Sequence, residues 1–273
     1  MKGAACTLAR RQAAAPRSRG MAGLAAACSA LLLGITGCGT PPPTATGTAA
    51  APENLREKYE ALHRAGGTVF AIDPAASAVR IFVFRGGRAP RLGHNHVLSA
   101  PKFDAYVYLP PDAQGSGDKP SAFDTRARGA RFDLAFRLDE LVVDDPDLRK
   151  TYGPAFASTL APEDLKSLRE HMLGPDNLQA NQFPFFLVAG REIAGEAPRF
   201  AAKVGLHLHG QLQEVWVPLV VEGLPERISV SGSIVLAQSD FGVQPYSVLG
   251  GFIAVDDRIV VEFRLEGKAL ANG

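Results

Sequence analysis

The chain has 273 residues, 46% of them hydrophobic, and carries 29 Lys plus Arg against 28 Asp plus Glu. That length allows one large all-β domain or two small ones, and the near-neutral balance leaves no basic field for nucleic acid. The three cysteines are Cys6, Cys28 and Cys38, so the chain after residue 38 has no thiol for a disulfide, a thiolate metal site or a cysteine nucleophile.

Lys2, Arg10, Arg11, Arg17 and Arg19 form a basic start without an acid, and Met21 to Ile35 is then nearly free of polar side chains. A run of about fifteen residues is short for a membrane span and suits the apolar region of a secretory signal. It ends in Ile35-Thr36-Gly37-Cys38, which resembles a bacterial lipobox. The resemblance implies a signal peptide over 1–37 and acylation of Cys38. The competing readings are a retained anchor, or ordinary cleavage that leaves Cys38 a free thiol. Several acyl chains on one residue hold a protein at a membrane, where one chain holds only marginally. Gly39 stands where lipoproteins retained at the inner membrane commonly carry Asp, so the resemblance implies the periplasm-facing leaflet of an outer membrane. Removal of 1–37 lowers Lys plus Arg from 29 to 24 and leaves 28 acids, a net charge of −4 before any His charge.

Gly39 to Pro52 is Pro, Thr, Ala and Gly, which cannot bury a core and reads as a spacer. Glu53 to Ala65 has helical spacing, with Leu55, Tyr59 and Leu62 on one side and Gly66-Gly67 as the stop. The expected organisation is signal peptide 1–37, then lipidated cysteine, disordered linker and short helix over 38–66, then a β-barrel domain over 67–268.

Strands follow in order. Phe70 and Ile72 precede an Asp73-Pro74 turn. Over Ser77 to Phe84, Val79, Ile81 and Val83 alternate with Arg80, Phe82 and Phe84; both faces are largely apolar, so both should be covered. Lys102 to Leu109 alternates again, Pro110 to Pro120 is a polar Gly/Pro loop, and Ala130 to Leu138 alternates a third time. Asp144-Asp145-Pro146 breaks the pattern. Pro162 to Leu173 is a predicted helix, with Glu163 and Asp164 in its first turn, Gly174-Pro175 as its stop, and Leu165, Leu168 and Met172 on its apolar side. Strands then return over Phe185–Val188, Phe200–His209, Val215–Val221, Ile228–Ala237 and Phe252–Leu265. About eight strands without regular strand–helix alternation predict a mainly β protein, a closed antiparallel barrel with a helical insertion. Eight strands enclose an interior that either fills with side chains or holds one ligand.

Phe70-Ala71-Ile72-Asp73-Pro74 followed by Ser77-Ala78-Val79-Arg80-Ile81 resembles the opening of the YceI-like family. Asn177 to Phe186, Leu206 to Gly210 with Val215-Trp216-Val217-Pro218, Gln238 to Val243, and the closing Ile259-Val260-Val261 are similar to later segments of that family, in order. The resemblance covers about Phe70 to Leu265. It implies a lipocalin-like barrel, periplasmic, holding a polyisoprenoid or quinone tail. Carried over, Phe82, Phe84, Phe103, Phe132, Phe136 and Phe186 are the candidate pocket residues; the plain alternative is that they are ordinary core. The chain departs from better-known members in its lipobox, its loop at Pro110 to Pro120 and its His94-Asn95-His96 triplet.

Two His-x-His pairs stand apart from that reading, His94/His96 and His207/His209. Residues two apart on a strand face one side, so each pair could offer two imidazoles to an ion such as Zn, Cu, Ni or haem iron. Asp73 or Asp240 is the nearest acid that could join them through the fold. The alternative is a polar turn at 93–96 and strand-bonded rings at 207 and 209. No Gly-x-Ser-x-Gly elbow occurs, and Asp240-Phe241-Gly242 lacks the partners a kinase needs, so no catalytic constellation and no resident cofactor are expected. Three functions follow: an outer-membrane-anchored carrier of an isoprenoid-like amphiphile; a His-based metal or haem protein; a structural lipoprotein with a filled barrel. The expected partners are a hydrophobic small molecule and the membrane, with a second copy of the chain as the oligomeric expectation.

Overall fold

The computed structural model describes residues 52–111 and 129–271. The expected signal peptide, Cys38 and nearly all of the Pro110 to Pro120 loop lie outside these residues. Among the described residues twelve strands belong to one sheet: β1 (Thr68–Ile72), β2 (Ala78–Gly86), β3 (His96–Ser99), β4 (Asp104–Leu109), β5 (Arg131–Arg137), β6 (Val142–Val143), β7 (Phe185–Glu196), β8 (Arg199–Leu208), β9 (Gln211–Glu222), β10 (Arg227–Ala237), β11 (Ser247–Val248) and β12 (Ile253–Ala269).

The circuit closes. β1 pairs with β4 on one side and with the end of β12 on the other, and β4, β5, β7, β8, β9, β10 and β12 follow in antiparallel register. This is the expected eight-stranded antiparallel, lipocalin-like barrel. The three short pairs are the first three staves, each broken by a kink. β2 continues β1 along β12, β3 precedes β4 and pairs with β2, and β6 continues β5 and pairs with β3. The first kink is the predicted Asp73-Pro74 turn. Asp73 accepts a hydrogen bond from the Ala75 N–H at 2.9 Å, and the Ser77 hydroxyl donates to the Asp73 carbonyl at 2.6 Å. Pro74 has no N–H to give the ladder there.

Alternation settles which residues face inward. Val79, Ile81 and Val83 of β2, Val107 and Leu109 of β4, and Phe132, Leu134 and Phe136 of β5 line the interior. The opposite parity faces out, and at two places it is apolar because a helix covers it. The first cover is α1 (Leu55–Arg64), capped by Asn54, whose side chain accepts from the Glu57 N–H at 3.2 Å. Tyr59 of α1 is fully buried, stacks on Tyr106 at 5.2 Å between ring centres, and donates to Asp133 at 3.1 Å. The second cover is α2 (Pro146–Thr151) with the turn at 154–156. Phe156 packs with Phe82 and Val97 on the outer face of β2 and β3, with Leu148 and Tyr152 beside them. The expectation that both faces of Ser77 to Phe84 are covered is met in this way. The Asp144-Asp145-Pro146 run reads in the sequence only as a strand break, and the structure shows α2 starting there. In it Asp145 is the N-cap, accepting from the Asp147 and Leu148 N–H groups, and Pro146 is the first residue.

The predicted helix forms α3 (Pro162–Leu173), and none of its residues is fully buried. Arg169 ties it to the barrel by donating to the carbonyls of Leu141, at 2.6 Å, and Asp139. Its Leu168 and Met172 face the interior.

Candidate functional site

The interior is hollow rather than filled. The inward residues of the staves enclose a cavity of about 1100 Å³, a little above the usual range of about 300–1,000 Å³ for small-molecule sites. Its wall is branched aliphatic and aromatic along its length, and two close approaches shape it. Phe132 lies across Gly190, where a Cβ would stand 2.2 Å from the ring. Phe136 and Phe186 pack with ring centres 5.2 Å apart.

Polar lining residues are unevenly placed. At the end where β1 begins and β4 ends, Thr68 is the polar member. At the other end, where β3, β7 and β12 begin, the lining includes His94, His96, Gln238 and Tyr246, with Asp164, Ser167 and His171 of α3 and Asn177 just after it. The cavity therefore has a long apolar body and one polar rim. His171 meets Tyr246 edge to face at 4.6 Å, and Asn177 donates to the Gln244 carbonyl at 2.9 Å. Phe241 and Val243, from the Gln238 to Val243 segment, are almost fully buried and close the wall beside this rim.

The rim rests on a buried ionic cluster. Asp144 is 2% exposed and takes a left-handed φ of 52°, which Asp tolerates better than most residues. Its backbone N–H donates to the Val97 carbonyl at 2.9 Å, and its carboxylate accepts from the Val97 N–H at 2.9 Å. The same carboxylate accepts from His96 Nδ1 at 2.6 Å and from Arg149 Nη1. Burial pushes the Asp144 carboxyl up, but the hydrogen bonds from His96, Val97 and Arg149 outweigh it and hold the group below the usual carboxylate range. Arg149 also donates to the Asn95 carbonyl at 2.8 Å and to the Ser158 hydroxyl at 2.8 Å. That hydroxyl lies 3.0 Å from His94 Nδ1. Asn95, between the two histidines, is buried; it accepts from the Arg85 N–H and donates to the Ala155 carbonyl.

The six aromatic candidates divide. Phe132, Phe136 and Phe186 are on the cavity wall. Phe82 and Phe84 have the outward parity of β2 and pack against Phe156 at 5.7 and 6.4 Å between ring centres. Phe103, on the link between β3 and β4, is buried in the core without reaching the cavity wall. The two His pairs do not share a site. His94 and His96 are at the rim. His207 is exposed on the outer face of β8, because the even positions 204, 206 and 208 point inward. His209 is not on the strand; it and Gly210 have φ of 51° and 73° and form the hairpin turn into β9. Its Nδ1–H donates to the Phe241 carbonyl at 3.0 Å. Asp73 and Asp240 do not join the histidines; Asp144 takes that place. Among the described residues no group of three or more His, Cys, Asp or Glu is placed to hold a metal ion.

Comparison with known proteins gives one family. The YceI-like domain model matches residues 127–267, just over half of the chain. Among solved structures, BcnA of Burkholderia cenocepacia is 16% identical, with 71% of this chain and 98% of that one covered and a TM-score of 0.48. A polyisoprenoid binding domain from Saccharophagus degradans is 12% identical, with 74% and 98% covered and a TM-score of 0.46. The YCEI protein of Campylobacter jejuni is 11% identical, with 63% and 85% covered and a TM-score of 0.40. No curated protein matches the chain.

Proposed function

The chain belongs to the YceI-like family, and on that premise we propose that it is an envelope lipoprotein that binds or carries a long, isoprenoid-like amphiphile inside its barrel. The observation that carries this reading is the cavity of about 1100 Å³ with an apolar body and polar groups gathered at one rim. Burial of a hydrocarbon chain yields about 0.8 kcal/mol per CH₂, so an apolar tube holds a long tail with few polar contacts. The ligand enters tail first and leaves its head at the rim. The tether is the acylated Cys38, which places the domain on the periplasmic face of the outer membrane, and the residues between it and α1 act as a spacer.

Native mass spectrometry of the protein taken from a bacterial envelope fraction tests the reading. The expected result is a co-purifying mass of several hundred daltons that organic solvent extracts. A bare protein that also fails to take up an added C20 isoprenoid contradicts it.

A further inference from the structure

The polar end of the barrel carries an apolar tip that stands in water. Leu249-Gly250-Gly251-Phe252 joins β11 to β12, and Val248 and Ile253 on either side of it line the cavity. Leu249 is 75% exposed and Phe252 49%. The segment leaving β2 runs beside the tip: the Arg88 and Ala89 N–H groups donate to the Gly251 and Phe252 carbonyls at 3.0 and 2.8 Å. The turn at 90–92 then lies against the start of β12 and sets out Leu92, 66% exposed, two residues before His94 of the cavity lining. Leu249 also holds a left-handed φ of 52°, which a bulky side chain seldom adopts and which no burial offsets here.

The charge beside the tip has one sign. No acid occurs between Asp73 and Asp104, and no charged residue between Asp240 and Asp256. Arg85, Arg88 and Arg91 are exposed and make no ion pair among the described residues. The Arg88 guanidinium lies over the Phe252 ring at 5.6 Å. Of the acids that follow the tip, Asp256 accepts from the Arg258 N–H, and Asp257 accepts from the Ser239 N–H and hydroxyl. Exposed Leu and Phe flanked by Arg suit an anionic lipid interface, where apolar groups enter the acyl boundary and cations stay among the headgroups. A second copy of the chain suits the face poorly, because a symmetric contact would bring the same arginines together.

We propose that the tip at 249–252 and the turn at 90–92 form a docking face for an anionic phospholipid surface, with Leu92, Leu249 and Phe252 in the acyl boundary and Arg85, Arg88 and Arg91 among the headgroups. Docking sets the polar rim at headgroup depth, so the tail of the amphiphile passes between bilayer and barrel while its head stays at the interface. This rests on the carrier reading for what passes through the mouth, whereas docking itself needs no ligand.

The test reads depth by tryptophan fluorescence. Trp216, the one tryptophan of the chain, is midway along β9, opposite Lys203. The full-length chain, and the full-length Phe252→Trp variant in a Trp216→Phe background, are mixed with vesicles of phosphatidylglycerol and phosphatidylethanolamine brominated near the carbonyl end of the acyl chains. The expected result is a blue shift and quenching at position 252 and neither at Trp216. One Arg near an anionic surface corresponds to about fivefold in affinity. The ratio of docked to undocked protein is therefore expected to fall about fivefold in each of Arg88→Gln and Arg91→Gln, and quenching is expected to be lost on phosphatidylcholine. No quenching at 252, equal quenching at Trp216, or equal quenching on phosphatidylcholine overturns the docking face. So does a protein that is dimeric and blue-shifted at 252 before lipid is added, which gives the face to a second copy of the chain. Intact docking by a protein that neither yields nor takes up an amphiphile sinks the carrier reading and leaves this face standing.

Discussion

His96 Nδ1 stands 2.6 Å from the Oδ2 of Asp144, forty-eight residues later in the chain, and the carboxylate that receives it is buried. The contact joins the outer cover of the barrel to its rim. Asp144 ends the stave of β6 and leads into α2, while His96 opens β3 and lines the cavity. Removing the carboxylate leaves Arg149, itself 5% exposed, as an unpaired buried charge. Breaking a buried pair from one side costs about 3–5 kcal/mol. Asp144→Ala is expected to lower stability by that amount in urea titration, and Arg149→Met, which removes the cation and keeps an apolar stem, is expected to lower it too, because Asp144 is then left buried with only His96 and Val97.

The same carboxylate sets a dependence on pH. Its folded value lies below its unfolded value, an ordinary aspartate value of about 3.9. Its contribution is therefore present in full above the unfolded value and is lost as pH falls through the folded one. The groups facing it are His96, Arg149 and the Val97 N–H. The stability gap between wild type and Asp144→Asn is expected to shrink as pH falls below about 4, measured as urea midpoints from about pH 5 downward. A gap that widens in acid would reverse the sign assigned here.

The helix before the barrel is held through Tyr59, together with the buried Leu55 and the ion pair of Lys58 with Asp133 at 2.8 Å. Tyr59 is fully buried against Tyr106 and bonded to Asp133. Tyr59→Ala is expected to cost about 3–5 kcal/mol, the range for a large buried aromatic. Tyr59→Phe keeps the packing, loses the hydroxyl, and is expected to cost about 1 kcal/mol. Thermal unfolding measures both. Proteolysis at Leu55–Arg64 ahead of global unfolding in the Ala variant locates the loss to α1.

Much of this was legible because a strand repeats every two residues. The alternation over Ser77–Phe84, Lys102–Leu109 and Ala130–Leu138 gave the staves, and Pro162 with Gly174 bounded α3 to the residue. The direction of each face was not legible where both faces are apolar. Phe82 and Phe84 are chemically suited to a cavity, and their position outside is decided by Phe156, more than seventy residues away. The cluster at the rim was missed for a related reason. Asp144 sits in a run that reads as a turn, and only its neighbour Asp145 does the capping that such a run advertises. An acid left over beside a cap, with Arg149 one turn on, was the available sign. His207 and His209 misled because spacing by two assumes a continuing strand, and the His209-Gly210 turn ends it.

The proposed tether at Cys38 has its own measurement. Cells expressing the full chain and fed radiolabelled palmitate are expected to label it, and Cys38→Ser is expected to lose the label and release the protein from the membrane fraction. Unchanged membrane association in that variant would remove the lipid anchor from the account.

The central claim is that the hollow barrel holds a hydrophobic tail, and filling the hollow tests it most directly. Val230 of β10 points into the cavity, where a larger side chain has room that a packed core would deny it. Val230→Trp is expected to unfold within about 1 kcal/mol of wild type. Solvent extracts of the two proteins, purified side by side from the same envelope, are then compared by mass spectrometry. The account predicts a stoichiometric amphiphile from the wild type and little or none from Val230→Trp. Equal amounts from both would place the ligand outside the barrel and contradict it.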